Sequence, residues 1–360
     1  MPSKLQVRQS LPASAKDIPG RIDNDNTAWR ALLKEKILDP DMPIIDAHHH
    51  LWDKVGQAYL LKEYLADCQS GHNIRASVYV ECGSYYRTAG PEMMNRLGEV
   101  EFANGEAAKA AALPPESPMV CAAIVGTADL TYGAGISRLL DAQQAVASER
   151  FRGIRLSTKW DPDEGLNHGR YVVPPNLLGD KDFRAGFAQL SPRNLSFDAL
   201  IYHPQLLELA ELARAYPDTK IILNHIGGLV ANTYTYRDRA EEAVAQWKAG
   251  MKQLSTCPNV LVKLGGLGMP YLGYGLNKLA APAPSEHIAQ VWGPLFNFCI
   301  DQFGPNRCMF ESNYPPDGGS VDFHVMWNAF KRIASCYSDE ERHALFFRSA
   351  AEAYRLTVPA

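Results

Sequence analysis

Short apolar runs rich in Ile, Val and Leu alternate along this chain with longer stretches whose apolar residues recur every three to four positions. The first pattern predicts buried strands and the second amphipathic helices. Strands are expected at 43–47, 74–82, 119–127, 151–158, 195–202, 219–225, 260–265 and 307–312. Helical stretches lie between them, such as "PQLLELAELARAY", "RDRAEEAVAQWKAGMKQL" and "SEHIAQVWGPLFNFCIDQF". A closing helical stretch, "SDEERHALFFRSAAEAYRL", begins at the capping residue Ser338. Strands alternating with helices imply a parallel sheet. Eight such units in 360 residues fit a (β/α)8 TIM barrel of the α/β class better than an open sheet. No glycine-rich dinucleotide fingerprint follows any strand. Ahead of the barrel, residues 1–25 read as a polar, poorly ordered arm. "NTAWRALLKEKIL" (26–38) reads as a helix packed outside. The expected boundaries are 1–40 for this N-terminal helical extension and 41–360 for the barrel.

Composition narrows the partners. The chain is 46% hydrophobic and 21% charged, with a formal net charge of −4. These are the proportions of a globular protein, and there is no basic field for nucleic acid or an anionic membrane. Solvated small molecules are the expected partners, and self-association is left open. No run approaches a membrane span and no apolar signal segment opens the chain, so a cytoplasmic location is expected. Seven scattered cysteines without a CxxC pair are expected to be buried free thiols.

The ionisable residues gather where apolar runs stop. "PIIDAHHHLWD" places Asp46, His48 and His50 at alternate positions, which on a regular strand share one face, with His49 on the other. Glu81 ends the second strand, Arg155 and Lys159 the fourth, His203 the fifth and His225 the sixth. Lys263 lies in the seventh, while Glu311, Asn313 and then Asp317 follow the eighth. A barrel gathers its strand ends into one rim, where active sites form. Burying so many ionisable groups is costly unless they pair or hold a metal. Trp160, with nearby tyrosines, hints at a ring-shaped or apolar substrate.

"DAHHHLWD", "YHPQ", "LNHIGG" and "FESNYPPD", in this order, resemble the amidohydrolase superfamily, in particular the amidohydrolase-2 branch of TIM-barrel hydrolases with its sugar-lactone and pyrone-dicarboxylate lactonases. The resemblance implies that His48 and His50 are the HxH metal pair. It makes His203 the strand-five ligand and His225 a ligand or an acid/base. It makes Arg155 a grip for a substrate carboxylate or lactone carbonyl, against the competing reading of an ion pair with Glu81 or Glu311. The family's strand-eight "SDxP" is replaced here by Ser312-Asn313-Tyr314-Pro315. A neutral amide is no general base and a poor zinc ligand. Glu311, two residues earlier, could supply the missing carboxylate from one layer deeper or pair with Lys263, and Asp317, beyond the turn, is a weaker substitute.

The expected function is ring-opening hydrolysis of a lactone or similar cyclic ester. His225, Glu311 and Asn313 are placed at the chemistry, and Arg155, Lys263, Glu81 and Trp160 about the substrate. His48, His50 and His203 are placed around one divalent ion such as zinc, with metal-independent action kept open. The alternatives are non-oxidative decarboxylation of an aromatic or enoic acid, and a non-catalytic binding barrel.

Overall fold

A computed structural model describes residues 3–7, 26–54, 57–167 and 169–358. Eight parallel strands follow one another around a single sheet. They are β1 (Pro43–His49), β2 (Asn73–Val80), β3 (Met119–Gly126), β4 (Phe151–Ser157), β5 (Ser196–Leu200), β6 (Ile221–Leu223), β7 (Val260–Leu264) and β8 (Cys308–Phe310). Each strand pairs with the next in sequence, from β1 through to β8. The ends then meet. Tyr314, just past β8, bridges His49 in parallel. The His50 amide donates to the Tyr314 carbonyl at 2.8 Å, and the Asn313 amide to the His48 carbonyl at 2.9 Å. The sheet is therefore a barrel, as the alternation of elements predicts, and its closing seam runs through the residues of greatest chemical interest.

One helix follows each strand. These are α1 (Leu61–Cys68), α2 (Leu97–Ala111), α3 (Ser137–Val146), α4 (Lys181–Phe187), α5 (Leu206–Ala215), α6 (Ala240–Ser255), α7 (Ser285–Phe303) and α8 (Phe323–Ile333). Strand alternation sorts the core into two layers. Ile154, Leu156, Val262, Leu264, Cys308 and Phe310 point outward to the helices. Ile45, Ala47, Val78, Val125, Ile222, Leu261 and Met309 fill the barrel's interior. A last helix, α9 (Ser349–Tyr354), adds Ala350, Ala353 and Tyr354 to the inner cluster. Lys220 and Arg152, at the N-terminal ends of β6 and β4, donate to its carbonyls, so α9 stoppers the barrel opposite the catalytic rim.

The helix expected over 26–38 is a single turn, Thr27–Arg30. Beyond it the chain lies against α8, whose side chains take its backbone groups. Asn328 accepts from the Leu38 amide and donates to the Lys36 carbonyl, both at 2.9 Å. Lys331 donates to the Leu38 and Asp39 carbonyls at 2.8 Å. Helical periodicity was present, but tertiary partners won the backbone. In the arm expected to be poorly ordered, Gln6–Val7 pairs antiparallel with Tyr171–Val172, and Lys4 bridges Asp180 and Asp182 at 2.7 Å. Residues 8–25 lie outside the described residues. All seven cysteines are free, and five are buried.

Candidate functional site

β1 does not keep strict alternation. Its pairing with β2 shifts register between Asp46 and His49. Ile45 and Ala47 face the barrel interior, and so do His48 and His50, which means that two consecutive residues point inward at the bulge. Asp46 is thereby turned out of the face predicted for it. It accepts from Tyr64 Oη at 2.8 Å, from Ser312 Oγ at 2.6 Å and from the Ser312 amide at 2.8 Å. His49 stacks on the same Tyr64 ring at 4.1 Å and meets Ser77 Oγ at 3.0 Å. Burial lifts the Asp46 carboxyl to about 6 even with these donors. Asp46 thus ties β1 to the end of β8 behind the histidines, and a regular-strand reading missed this.

The bulge brings His48 Nε2 and His50 Nε2 to 3.2 Å. Their partners set the tautomers. His50 Nδ1 lies 2.7 Å from the Val80 carbonyl, which only accepts, so Nδ1 carries the proton. Arg155 Nη1, which only donates, lies 3.2 Å from His48 Nε2. Both Nε2 atoms therefore present lone pairs to the same space. Burial holds both imidazoles well below the usual histidine range, aided at His48 by Lys263, His225, His50 and Arg155, and at His50 chiefly by Arg155.

His225 faces this pair from the end of β6, its ring 4.8 Å from that of His48. Its Nδ1 donates to Glu311 Oε1 at 2.6 Å, and its amide to the same oxygen at 3.2 Å. A carboxylate orienting an imidazole through one ring nitrogen is the geometry of an activated base. The approach is bought with backbone strain. His225 and Ile226 have φ of 54° and 48°, and Asn313 on the same rim has φ of 49°. Gly265 and Gly266 make room, because a Cβ on the first would lie 2.4 Å from Glu311 Cγ and on the second 2.3 Å from the His225 ring.

The cations are committed to carboxylates. Arg155 Nε donates to Glu81 Oε1 at 2.8 Å, its Nη2 to the Glu81 carbonyl, and its Nη1 to His48. Lys263 is fully buried, 2.8 Å from Asp198 Oδ2 and 3.4 Å from His48 Nδ1. Asp198 also accepts from Tyr354 Oη of α9 at 2.8 Å and from Asn224 at 3.1 Å. Lys263 thus pairs with Asp198 and not with Glu311, which is left to the histidines. Asp198 was not anticipated, although a lone acid inside the apolar run "LSFDALIY" was the signal for it.

His203 departs from expectation, while Asn313 and Trp160 are held at the rim by their own hydrogen bonds. His203 does not join the histidine group. Its ring lies edge-on to Tyr236 at 5.3 Å, both ring nitrogens are buried without a partner, and burial, then Arg239, brings its pKa to about 4. It opens the short helical turn that follows β5 and is not among the residues whose ligand atoms gather with His48. Asn313 donates its amide to Asp317 Oδ1 at 2.7 Å, and Gly268 N donates to Asp317 Oδ2 at 3.0 Å. Burial raises Asp317 well above the usual carboxylate range. Trp160 is partly buried at the rim, its amide donating to Gln205 at 2.9 Å.

Among the described residues, His48, His225 and Glu311 form a buried group whose ligand atoms lie within 4.8 Å of one another. Glu311 Oε2 is 2.7 Å from His48 Nδ1, yet it closes no aligned hydrogen bond. A buried carboxylate oxygen left open beside neutral imidazoles is a donor set that suits a divalent ion. The donor atoms of His48, His225 and Glu311 fit such a group, and His50 Nε2 stands beside it, 3.2 Å from His48 Nε2. His203 does neither.

Comparison with known proteins agrees with this architecture. The family model Amidohydro_2, described as amidohydrolase, matches residues 45–356. The chain is 32% identical over 338 residues to the uncharacterized protein y4mH of Sinorhizobium fredii, covering 88% of this chain and 99% of that one. It is 25% identical over 330 residues to an L-fucono-1,5-lactonase of Burkholderia multivorans, covering 88% and 97%. A crystal structure of an amidohydrolase from Burkholderia multivorans with bound zinc superposes with a TM-score of 0.63 at 24% identity, covering 87% of this chain and 99% of that one.

Proposed function

The chain belongs to the amidohydrolase family, and on that footing we propose that it is a hydrolase that opens a lactone or similar cyclic ester. The observation that carries this reading is the His225–Glu311 pair, held at 2.6 Å opposite the two Nε2 lone pairs of His48 and His50. The likeness to the lactonase of Burkholderia multivorans supports the substrate class.

In this reading Glu311 fixes the proton of His225 on Nδ1, and Nε2 removes a proton from a water attacking the lactone carbonyl carbon. The ring C–O bond then breaks. The departing ring oxygen takes the proton back from His225, and the product hydroxy acid releases one proton on ionising. Arg155, held by Glu81, presents a fixed positive charge beside His48 where negative charge develops on the carbonyl oxygen. A divalent ion held by His48 and Glu311, with His50 beside them, would add Lewis-acid polarisation of that oxygen and leave His225 Nε2 free as the base. Lys263 and Asp198 lie beneath the histidines, and by their mutual pairing they keep the floor of the pocket rigid and neutral overall.

The test is a panel of sugar and pyrone lactones followed by proton release and by mass. Ring opening adds the elements of water and acidifies a weakly buffered solution. Carbon dioxide release from aromatic acids without lactone opening would overturn the reading in favour of decarboxylation. Ligand binding without turnover across the panel would overturn it in favour of a binding barrel.

A further inference from the structure

Lys159 stands just past β4, at the rim that carries the histidines, and it differs from the two cations deeper in the barrel. Arg155 is spent on Glu81 and His48, and Lys263 on Asp198. Lys159 meets no carboxylate among the described residues. Its Nζ lies instead between two aromatic faces, 5.3 Å from the ring centre of Tyr202 and 5.2 Å from that of Tyr271. These rings come from different parts of the rim, Tyr202 following β5 and Tyr271 following β7. Tyr202 is rigid, because its hydroxyl donates to the Leu166 carbonyl at 2.6 Å.

Ring faces attract an ammonium and strip water from it, but they accept none of its three N–H bonds well and leave its charge uncompensated. Burial, followed by repulsion from Arg155, lowers its pKa to about 8, and no carboxylate offsets either effect. The side chain remains mostly cationic at neutral pH while lacking an anion. Tyr271 also feels the charges of Asp317 and Arg155, which ties this cradle to the same mouth as the His225–Glu311 pair. A charged group in that position is completed by an anion entering from the mouth, and the flanking rings suit a flat body attached to that anion.

We propose that Lys159, with Tyr202 and Tyr271, forms an anion subsite that receives a carboxylate carried on the ring of the substrate. The proposal rests on the hydrolase reading and deepens it, because the ring opened is then an acidic one and not a neutral sugar lactone. Lys159 fixes the acid group, and the scissile carbonyl is left to reach His225.

Two measurements test it. The first reads binding without turnover, by calorimetry with isophthalate, a flat unreactive diacid. Wild type binds it, Lys159→Met binds it about tenfold or more weakly, and Lys159→Arg keeps most of the affinity. The second uses coumalate and methyl coumalate, the acid and the methyl ester of one pyrone ring. The ratio of kcat/KM for acid over ester falls about tenfold or more in Lys159→Met, mainly through KM of the acid. A lysine that served only as a latch between loops would change melting temperature and both substrates together, leaving that ratio constant. Equal isophthalate affinity in wild type and Lys159→Met, or no binding by wild type, overturns the subsite, and so does an unchanged ratio. If Lys159→Met fails to fold, Lys159→Gln and the wild-type preference for acid over ester carry the same test. Lys159-dependent isophthalate binding with neither pyrone hydrolysed supports the subsite and overturns the lactone reading instead.

Discussion

Glu311 is the residue on which the site turns, because it holds His225 through Oε1 and approaches His48 through Oε2. Glu311→Gln keeps the shape but loses the charge that orients and activates the base. Its kcat/KM should fall by about 10²–10⁴-fold, while Asn313→Ala should cost less. Steady-state kinetics of the two variants on the same lactone decide this. Arg155 and Glu81 form the other tightly defined pair, with side chains only 7% and 13% exposed. Removing the arginine alone strands Glu81, so Arg155→Ala should lose about 3 kcal/mol of stability. The double variant Arg155→Ala/Glu81→Gln should recover much of it in denaturant titration. A substrate grip with no structural role would instead leave stability intact and move only KM.

Between residues and the barrel lie the turns that set their positions. The β7 turn passes so close to His225 that Gly266, with φ of +73°, admits no side chain. Gly266→Ala must push the ring away from Glu311. Because misplacing a catalytic group by an ångström costs about a hundredfold, kcat should fall on that scale while the far-UV circular dichroism stays native. Helix α2 supplies a different lever. Its Glu99 accepts from the Cys82 amide at 2.8 Å, the Ser84 amide at 3.1 Å and Tyr79 Oη at 3.2 Å, all at Oε1, and leaves Oε2 buried without a partner. Burial, then Glu81, raises its pKa from 4.5 to about 7. A raised folded-state pKa means that the contribution to stability is fully present below pH 4.5 and is lost as pH rises through about 7. Glu99→Gln should abolish that loss, giving a melting temperature above wild type at alkaline pH and a flatter profile between these limits.

For the molecule as a whole, the question is what completes the donor set at the closed seam between β1 and β8. Arg155 Nη1 already donates to His48 Nε2, so a divalent ion must compete with a guanidinium for that lone pair. Metal occupancy is accordingly expected to be partial. Chelation should lower activity less than Glu311→Gln does, as read from metal content measured beside activity before and after dialysis. One tightly held zinc per chain, with activity abolished on its removal and restored on its return, would overturn this expectation. No helix among the described residues is long and apolar enough to cross a membrane.

The eight-strand alternation, the parallel sheet and the gathering of His48, His50, His225, Glu311 and Arg155 at strand ends were legible in the residues alone. They follow from local periodicity and from the rule that a barrel brings its strand ends together. What the sequence could not determine depends on contacts between distant segments. The bulge that turns Asp46 outward arises where β1 meets β2. The segment after Arg30 leaves its helical path because Asn328 and Lys331, some 290 residues on, claim its carbonyls and amides. His203 carries the same side chain as its neighbours on the rim and was grouped with them. Only the turn after β5 decided that its ring would face Tyr236. Lys159 likewise became an unsatisfied cation only when Tyr202 and Tyr271 closed around it. Periodicity is written in neighbouring residues, whereas partner choice is a comparison of free energies among groups that become neighbours only after folding.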